Sequence, residues 1–290
     1  MLKFLLALLA LVSSCAGAFV GRNISHVKDK HDFPFQDLIN ERIVGGRTVD
    51  IAMHPHQISL RFKFPFCRGS VFYCEGFDHI CGGSIISSTM IVTAAHCIHK
   101  LSPSLFNIVA GANQRKGSDG VIALVQEIIV HEDFNPVQLT NDIALLILAT
   151  PLPLNNFTIK AIDLADGVAK EGEIATVTGW GFTDTGRLAD FLQEVKVPII
   201  SNELCNKDYN PEYFISDDMM CAGFRGVGGK DACKMDSGGP LSINGKLAGI
   251  VSWGIGCGSP KYPGVYARIS HLLPWLLEKI DYFTINSAFN

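Results

Sequence analysis

Beyond residue 43 the chain alternates short apolar runs with breaks of Gly, Pro, Asn and Asp. The runs "ISLRF", "GSIIS", "MIVTAA", "FNIVAG", "VIALVQEIIV", "DIALLIL", "IATVTGW", "LAGIVSW" and "GVYARI" are rich in Val, Ile and Leu. β-Branched residues suit a pleated, half-buried surface, and the breaks supply turns, so the pattern predicts an all-β protein. A proline-rich joint, "TPLPLNN" from Thr150 to Asn156, divides the strand-rich region in two. Two antiparallel β-barrels, about 43–150 and about 151–269, with a cleft between them fit that division. Strand spacing alone equally describes one large sandwich. Helical periodicity is persuasive only at about 270–281, with Ser270 as cap, Pro274 in the first turn, and Leu273, Trp275, Leu276, Leu277 and Ile280 on an apolar face.

The first 42 residues follow a different pattern. Met1, Leu2 and Lys3 lead into an apolar run from Phe4 to Val12, and small residues follow, with Ala16 and Ala18 placed as signal peptidase reads them. Residues 1–18 are therefore expected to be a signal peptide. The apolar run is far shorter than the roughly 20 residues of a membrane span. Residues 19–42 are polar and aperiodic and end in "NER" before "IVGG", as a detachable propeptide would, leaving 43–290 as the mature domain.

Export means an oxidising compartment, so cysteines are read as disulfides before metal ligands. Of the nine, Cys15 leaves with the signal, and the remaining eight suffice for four bridges. The sequons Asn23-Ile24-Ser25 and Asn156-Phe157-Thr158 fit the same route, with Asn156 the candidate glycosylation site.

At 290 residues and 48% hydrophobic, the chain can bury one or two cores. A net charge of -4 supplies no general attraction to nucleic acid or to anionic membrane. Partners must be inferred from a site, and three short frames offer one: "TAAHC" with His96, "NDIALL" with Asp142 and "DSGGP" with Ser237. Acyl transfer at neutral pH needs a hydroxyl nucleophile, a base near pH 7 and a buried carboxylate that fixes the base's tautomer. Each frame alone describes an ordinary structural His, a turn Asp or a tight Ser loop.

Together with "IVGG", "TGWG", "SWG" and "PGVY", these frames occur in the order and with the spacing of a known family. From Ile43 to about Ile280 the chain resembles the secreted chymotrypsin-like serine proteases, and within them the trypsins. The resemblance implies His96 as general base and acid, Asp142 as its orienting carboxylate and Ser237 as nucleophile. It implies a zymogen: cleavage after Arg42 by a protease of tryptic specificity frees the amino group of Ile43 to pair with Asp236. Asp231 matches the acid at the base of the trypsin pocket, and Gly254 and Gly264 match walls that must lack side chains. Arg or Lys is then expected before the scissile bond. Ala232 stands where many trypsins have Ser, which favours Arg over Lys. Ser252, Trp253 and Gly254 would pair with an extended substrate backbone.

The matched motifs imply bridges Cys81–Cys97, Cys205–Cys221 and Cys233–Cys257, and leave Cys67 and Cys74 to each other. That last pair lies in an Arg61–Ile80 stretch longer than in simple trypsins and rich in Phe and basic residues, expected as a self-packed surface loop, with contact to substrate on the leaving-group side of the cleft as the alternative. Calcium is not expected, because "GANQRKGSDG" contains no Glu and one Asp where the family's calcium loop has glutamates. No other metal or cofactor is implied. Expected partners are protein or peptide substrates with Arg or Lys, the activating protease and protein inhibitors, for a secreted monomer.

One residue departs from the family. Met235 stands where Gly normally donates its N–H, with that of Ser237, to the oxyanion. A disturbed peptide there would cost about 3 kcal/mol, two to three orders of magnitude in rate. A side chain that merely projects into the leaving-group side of the cleft would spare catalysis and obstruct bulky inhibitors. The intact motifs around Met235 favour the second outcome; the alternative function is a protease-like binding protein with weak catalysis.

Overall fold

The computed structural model describes residues 44–63, 76–117 and 119–287. Arg42, Ile43, Cys67, Cys74, the signal peptide and the propeptide lie outside the described residues.

Strands β2 (Gln57–Lys63), β3 (Phe77–Ile85), β4 (Met90–Thr93), β5 (Phe106–Ala110), β6 (Val121–Val130) and β7 (Ala144–Leu148) close into one antiparallel barrel in the order β2-β3-β4-β7-β6-β5. In β6, Ala123 and Val125 point inward while Ile122 and Leu124 stay exposed, the alternation a pleated strand with one dry face must show. Its core gathers Ile58, Leu60, Ile85, Ile91, Ile108 and Leu145.

The second barrel comprises β9 (Ile174–Gly179), β10 (Gln193–Ile200), β11 (Met219–Ala222), β12 (Pro240–Ile243), β13 (Lys246–Trp253) and β14 (Gly264–Arg268). Here β9 pairs with both β10 and β12, so the sheet closes. Val177, Val197, Leu241 and Tyr266 fill its interior. The short strands β1 (Arg47–Thr48) and β8 (Asp163–Leu164) attach to β10 and β13. The joint between the barrels is strapped to the first of them, the buried Leu152 donating its N–H to Ser88 O at 2.7 Å. Two barrels, rather than one sandwich, are what the strands build.

A C-terminal helix forms where the sequence places it, though with other bounds, and a second helix joins it. Helix α1 (Asn202–Tyr209) was not expected; it buries only Cys205 and Tyr209, too little apolar periodicity to announce itself. The C-terminal helix α2 (Ile269–Ser287) continues directly from β14, so Ser270 lies inside the helix and not at its cap, and Pro274 falls in its interior. Pro274 gives up a helical hydrogen bond. Burial of Ile269, Leu272 and Leu276 on one face, at spacings of three and four, offsets that loss.

Candidate active site

His96 lies in a short 3-10 turn, Ala95–Cys97, just beyond β4, and Asp142 just before β7. Their strands pair, Thr93 opposite Ala144, which brings the two side chains together. Asp142 Oδ2 accepts from His96 Nδ1 at 2.7 Å, and Oδ1 accepts from the His96 backbone N–H at 2.9 Å. Ser252, in β13 of the other barrel, donates its hydroxyl to Asp142 Oδ2 at 2.5 Å. Beyond the backbone role expected of Ser252, its hydroxyl is the third donor to this carboxylate. Burial opposes charge on Asp142, but the His96 ring and these hydrogen bonds outweigh it and hold the carboxyl below its ordinary pKa. Burial likewise opposes a charged His96, and Asp142 outweighs it, so the imidazole binds a proton more readily than a free one. An imidazole held with Nδ1–H on a carboxylate presents a basic Nε2 to whatever enters the cleft.

Ser237 sits on a loop pinned to both barrels. Its carbonyl accepts from Gly82 N on β3 at 2.7 Å, and Gly238 N donates to Val251 O on β13 at 2.8 Å. Gly238 has φ +78°, and a Cβ there would press on Thr93 Oγ1 and come within 2.7 Å of Gly82 O, so only glycine fits. The disulfide Cys81–Cys97 joins the strand beside Ser237 to the turn carrying His96. Among the described residues no hydrogen bond joins Ser237 Oγ to the His96 ring.

Met235 adopts φ +74°, the left-handed region that disfavours a side chain. Neither its N–H nor that of Ser237 enters a backbone hydrogen bond among the described residues. Its carbonyl is 3.0 Å from Nε2 of His79, whose Nδ1 is 2.8 Å from Ser59 Oγ. Burial pushes His79 down to about pH 3, so the ring is neutral. With Nε2–H donating to Met235 O, Nδ1 must accept the Ser59 hydroxyl. Sequence reasoning missed His79, whose place two residues before Cys81 carries no motif of its own.

Next to Met235, Asp236 is fully buried and accepts from Gly181 N at 2.7 Å and Cys233 N at 2.9 Å. Burial raises its pKa to about 7, and no cation faces it among the described residues.

Asp231 is 4% exposed. Its Oδ2 accepts from Gly258 N at 3.0 Å, while Oδ1 has no partner, and burial again raises the pKa to about 7. A Cβ on Gly264 would lie 2.6 Å from that Oδ1 and 3.1 Å from the Tyr266 hydroxyl, which is also buried and unpartnered. A Cβ on Gly254 would face Gly264 Cα at 3.9 Å. Buried Ala232 and the disulfide Cys233–Cys257 complete this end, and Trp253 meets Tyr209 edge-on and Tyr213 at a tilt. The disulfide Cys205–Cys221 fastens α1 to β11. Such a carboxylate, short of donors and walled by glycines, suits a cationic side chain.

Two features bear on metals. Cys81, His96 and Cys97 bring ligand-type atoms within 4.8 Å of one another, but both sulfurs belong to a disulfide, which leaves no thiolate. In the Gly111–Gly120 loop, Asp119 accepts from the N–H groups of Asn113 and Gln114, so its carboxylate staples the loop.

The family model described as Trypsin matches residues 43–276. Trypsin zeta of Drosophila melanogaster is 47% identical over 280 residues, covering 94% of this chain and 96% of its own. Trypsin eta of the same species is 43% identical over 242 residues, 82% of this chain and 88% of its own. Vitellin-degrading protease of Bombyx mori is 40% identical over 250 residues, 85% and 89% of the two chains. A two-barrel fold with an imidazole, a carboxylate and a serine loop at its seam, matched along nearly its whole length, makes this chain a member of the trypsin family of serine endopeptidases.

Proposed function

We propose that the chain is the secreted zymogen of an endopeptidase that cuts after Arg or Lys through an acyl-enzyme. The observation that carries the specificity is Asp231, a buried carboxylate with one oxygen unpartnered between glycine walls. A guanidinium or ammonium supplies the missing partner, and leaving such a group unpaired costs about 2 to 5 kcal/mol. Ala232 offers no hydroxyl there, which favours Arg.

In the reaction His96 Nε2 takes the proton of Ser237 Oγ as the hydroxyl attacks the scissile carbonyl carbon. The N–H groups of Met235 and Ser237 stabilise the oxyanion. His96 then protonates the departing amine, leaving an ester on Ser237, and water activated by the same imidazole hydrolyses that ester. Asp142 keeps the tautomer and stabilises the imidazolium. Ser252, Trp253 and Gly254 pair with the substrate backbone.

Activation follows cleavage after Arg42 by a tryptic protease. The new Ile43 ammonium neutralises Asp236, a buried acid without a cation. The adjoining residue supports this: Val44 O accepts from Asp231 N at 3.3 Å, which brings the start of the mature chain to the pocket loop. Residues 1–18 act as the signal and 19–42 as the propeptide, the domain works as a monomer, and Asn156, exposed in its turn, accepts a glycan.

A second reading has one observation in its favour. Met235 occupies a backbone conformation suited to glycine, which would weaken the oxyanion donors and leave a binding protein with little catalysis. Cleavage after Arg42, followed by assay of a small arginine amide beside Ser237→Ala, separates the two. Turnover in the wild type with a loss of at least about a thousandfold in the variant is expected. Equal residual rates would end the catalytic proposal.

A further inference from the structure

Asp142 reaches His96 through a sharply bent backbone. Asn141, just before it, has φ +52°, a left-handed conformation that Asn tolerates better than most residues. The Ile143 N–H then closes onto Asn141 O at 2.8 Å, across Asp142 itself. The backbone conformation at Asn141 therefore sets where the Asp142 carboxylate points.

The peptide on the other side of the Asn141 Cα is held from the other barrel. Asn141 N donates to Asp218 Oδ2 at 2.6 Å. Asp218 stands just before β11 and is 6% exposed. It is fixed in turn, Oδ1 accepting the Ser216 hydroxyl at 2.5 Å and its backbone carbonyl accepting from Arg268 N at 2.7 Å. Arg268 itself is anchored on Met219 O and Asn202 Oδ1. A backbone N–H on a carboxylate is a charge-assisted bond, roughly twice as strong as a neutral one. It is what the second barrel contributes to the bend.

We propose that Asp218 is a positioning residue for proton transfer: by holding the Asn141 N–H it fixes the bend that aims the Asp142 carboxylate at His96 Nδ1. The inference rests on the roles proposed above for His96 and Asp142. Without Asp218 the bend loosens, and His96 loses both its fixed tautomer and part of the negative field that favours its charged form. The acid limb of the rate profile then moves to lower pH.

The test compares Asp218→Ala and Asp218→Asn in the full chain after identical activation, with active serines counted by a phosphonate titrant. For Asp218→Ala, kcat per titrated site on a small arginine amide falls about ten- to a hundredfold, as loss of catalytic alignment does. KM stays within about twofold, and the acid limb of kcat/KM moves down. Asp218→Asn keeps an oxygen for the Asn141 N–H and restores most of both. An unchanged kcat, a kcat loss with an unmoved limb, or no rescue by Asn would each overturn the proposal. If Asp218→Ala yields no titratable protein, Asp218→Glu decides, because a displaced acceptor must show the same two changes in smaller form and wild-type values refute it. Residual turnover in Ser237→Ala equal to wild type marks failure of the underlying site reading, a separate result.

Discussion

Two acids, Asp142 at the seam between the barrels and Asp231 beside Gly264, are almost equally buried and behave in opposite ways. Asp142 accepts from the His96 ring, the His96 backbone and the Ser252 hydroxyl, and stays ionised below the ordinary range. Asp231 accepts from Gly258 N, keeps one oxygen bare and rises to about 7. Desolvation pushes both upward, so the difference lies in their donors. An acid whose partners are built into the fold is a fixed part of the machinery. An acid left short of partners is open to a donor that the described residues do not supply. Asp236 is intermediate: each of its oxygens accepts a backbone N–H, yet burial still raises it to about 7.

The two acids part most clearly in Asp142→Asn. An amide has one oxygen for three donors and turns its N–H₂ toward at least one of them, so it favours the wrong His96 tautomer. On the proposed mechanism kcat falls about ten-thousandfold with KM little changed, the size such a tautomer change has in this protease family. Steady-state kinetics on a small arginine amide measures it. A loss under tenfold would mean that donors at Asp142 stabilise the fold without serving the reaction.

The same contrast separates what the sequence could disclose from what it could not. Strands were legible because β-branched runs and turn residues are local signals, and the frames around His96, Asp142 and Ser237 were legible because each is contiguous. Partnerships across the seam were not. Ser252 meets Asp142 and His79 meets the Met235 carbonyl through contacts separated by 110 and 156 positions in sequence. Helix α1 was missed for a different reason: held by the Cys205–Cys221 bridge and by Tyr209, whose hydroxyl donates to Pro263 O at 2.6 Å, it needs no apolar face of its own. Asp231 is proposed from its matching position, but the unpartnered Oδ1 that supports that proposal is a property of the fold.

Asp231 gives a smaller effect. A carboxyl raised to about 7 is largely protonated at pH 6 and ionised at pH 8, and a bound cation favours only the ionised form. Binding of benzamidine, a cation of guanidinium-like shape, therefore tightens toward about tenfold per pH unit below 7, levels off above it and releases protons. Calorimetry in buffers of different ionisation enthalpy reads the release. The sign for stability is opposite without ligand: a carboxyl raised above its unfolded value loses stabilisation as pH climbs from about 4 through about 7. Proton release that is absent at pH 6 would place Asp231 with Asp142, already ionised by partners in the fold.

Met235→Gly is expected to change least, and its value lies in that. The strain of a side chain at φ +74° is about 1 to 2 kcal/mol. Glycine relieves it but adds about 0.5 to 1 kcal/mol of backbone freedom to the unfolded chain, so the melting temperature barely moves. The Met235 and Ser237 N–H groups are already unengaged by other backbone, and His79 holds the Met235 carbonyl, so on the proposed mechanism glycine frees no donor that is not already free. Single-turnover acylation by an arginine ester should stay within about threefold, while bulky protein inhibitors bind more tightly once the half-buried side chain is gone. A gain of two orders of magnitude in acylation would reverse the assignment. The methionine would then have been impairing the oxyanion donors throughout, and the reading of a weakly catalytic binding protein would take precedence.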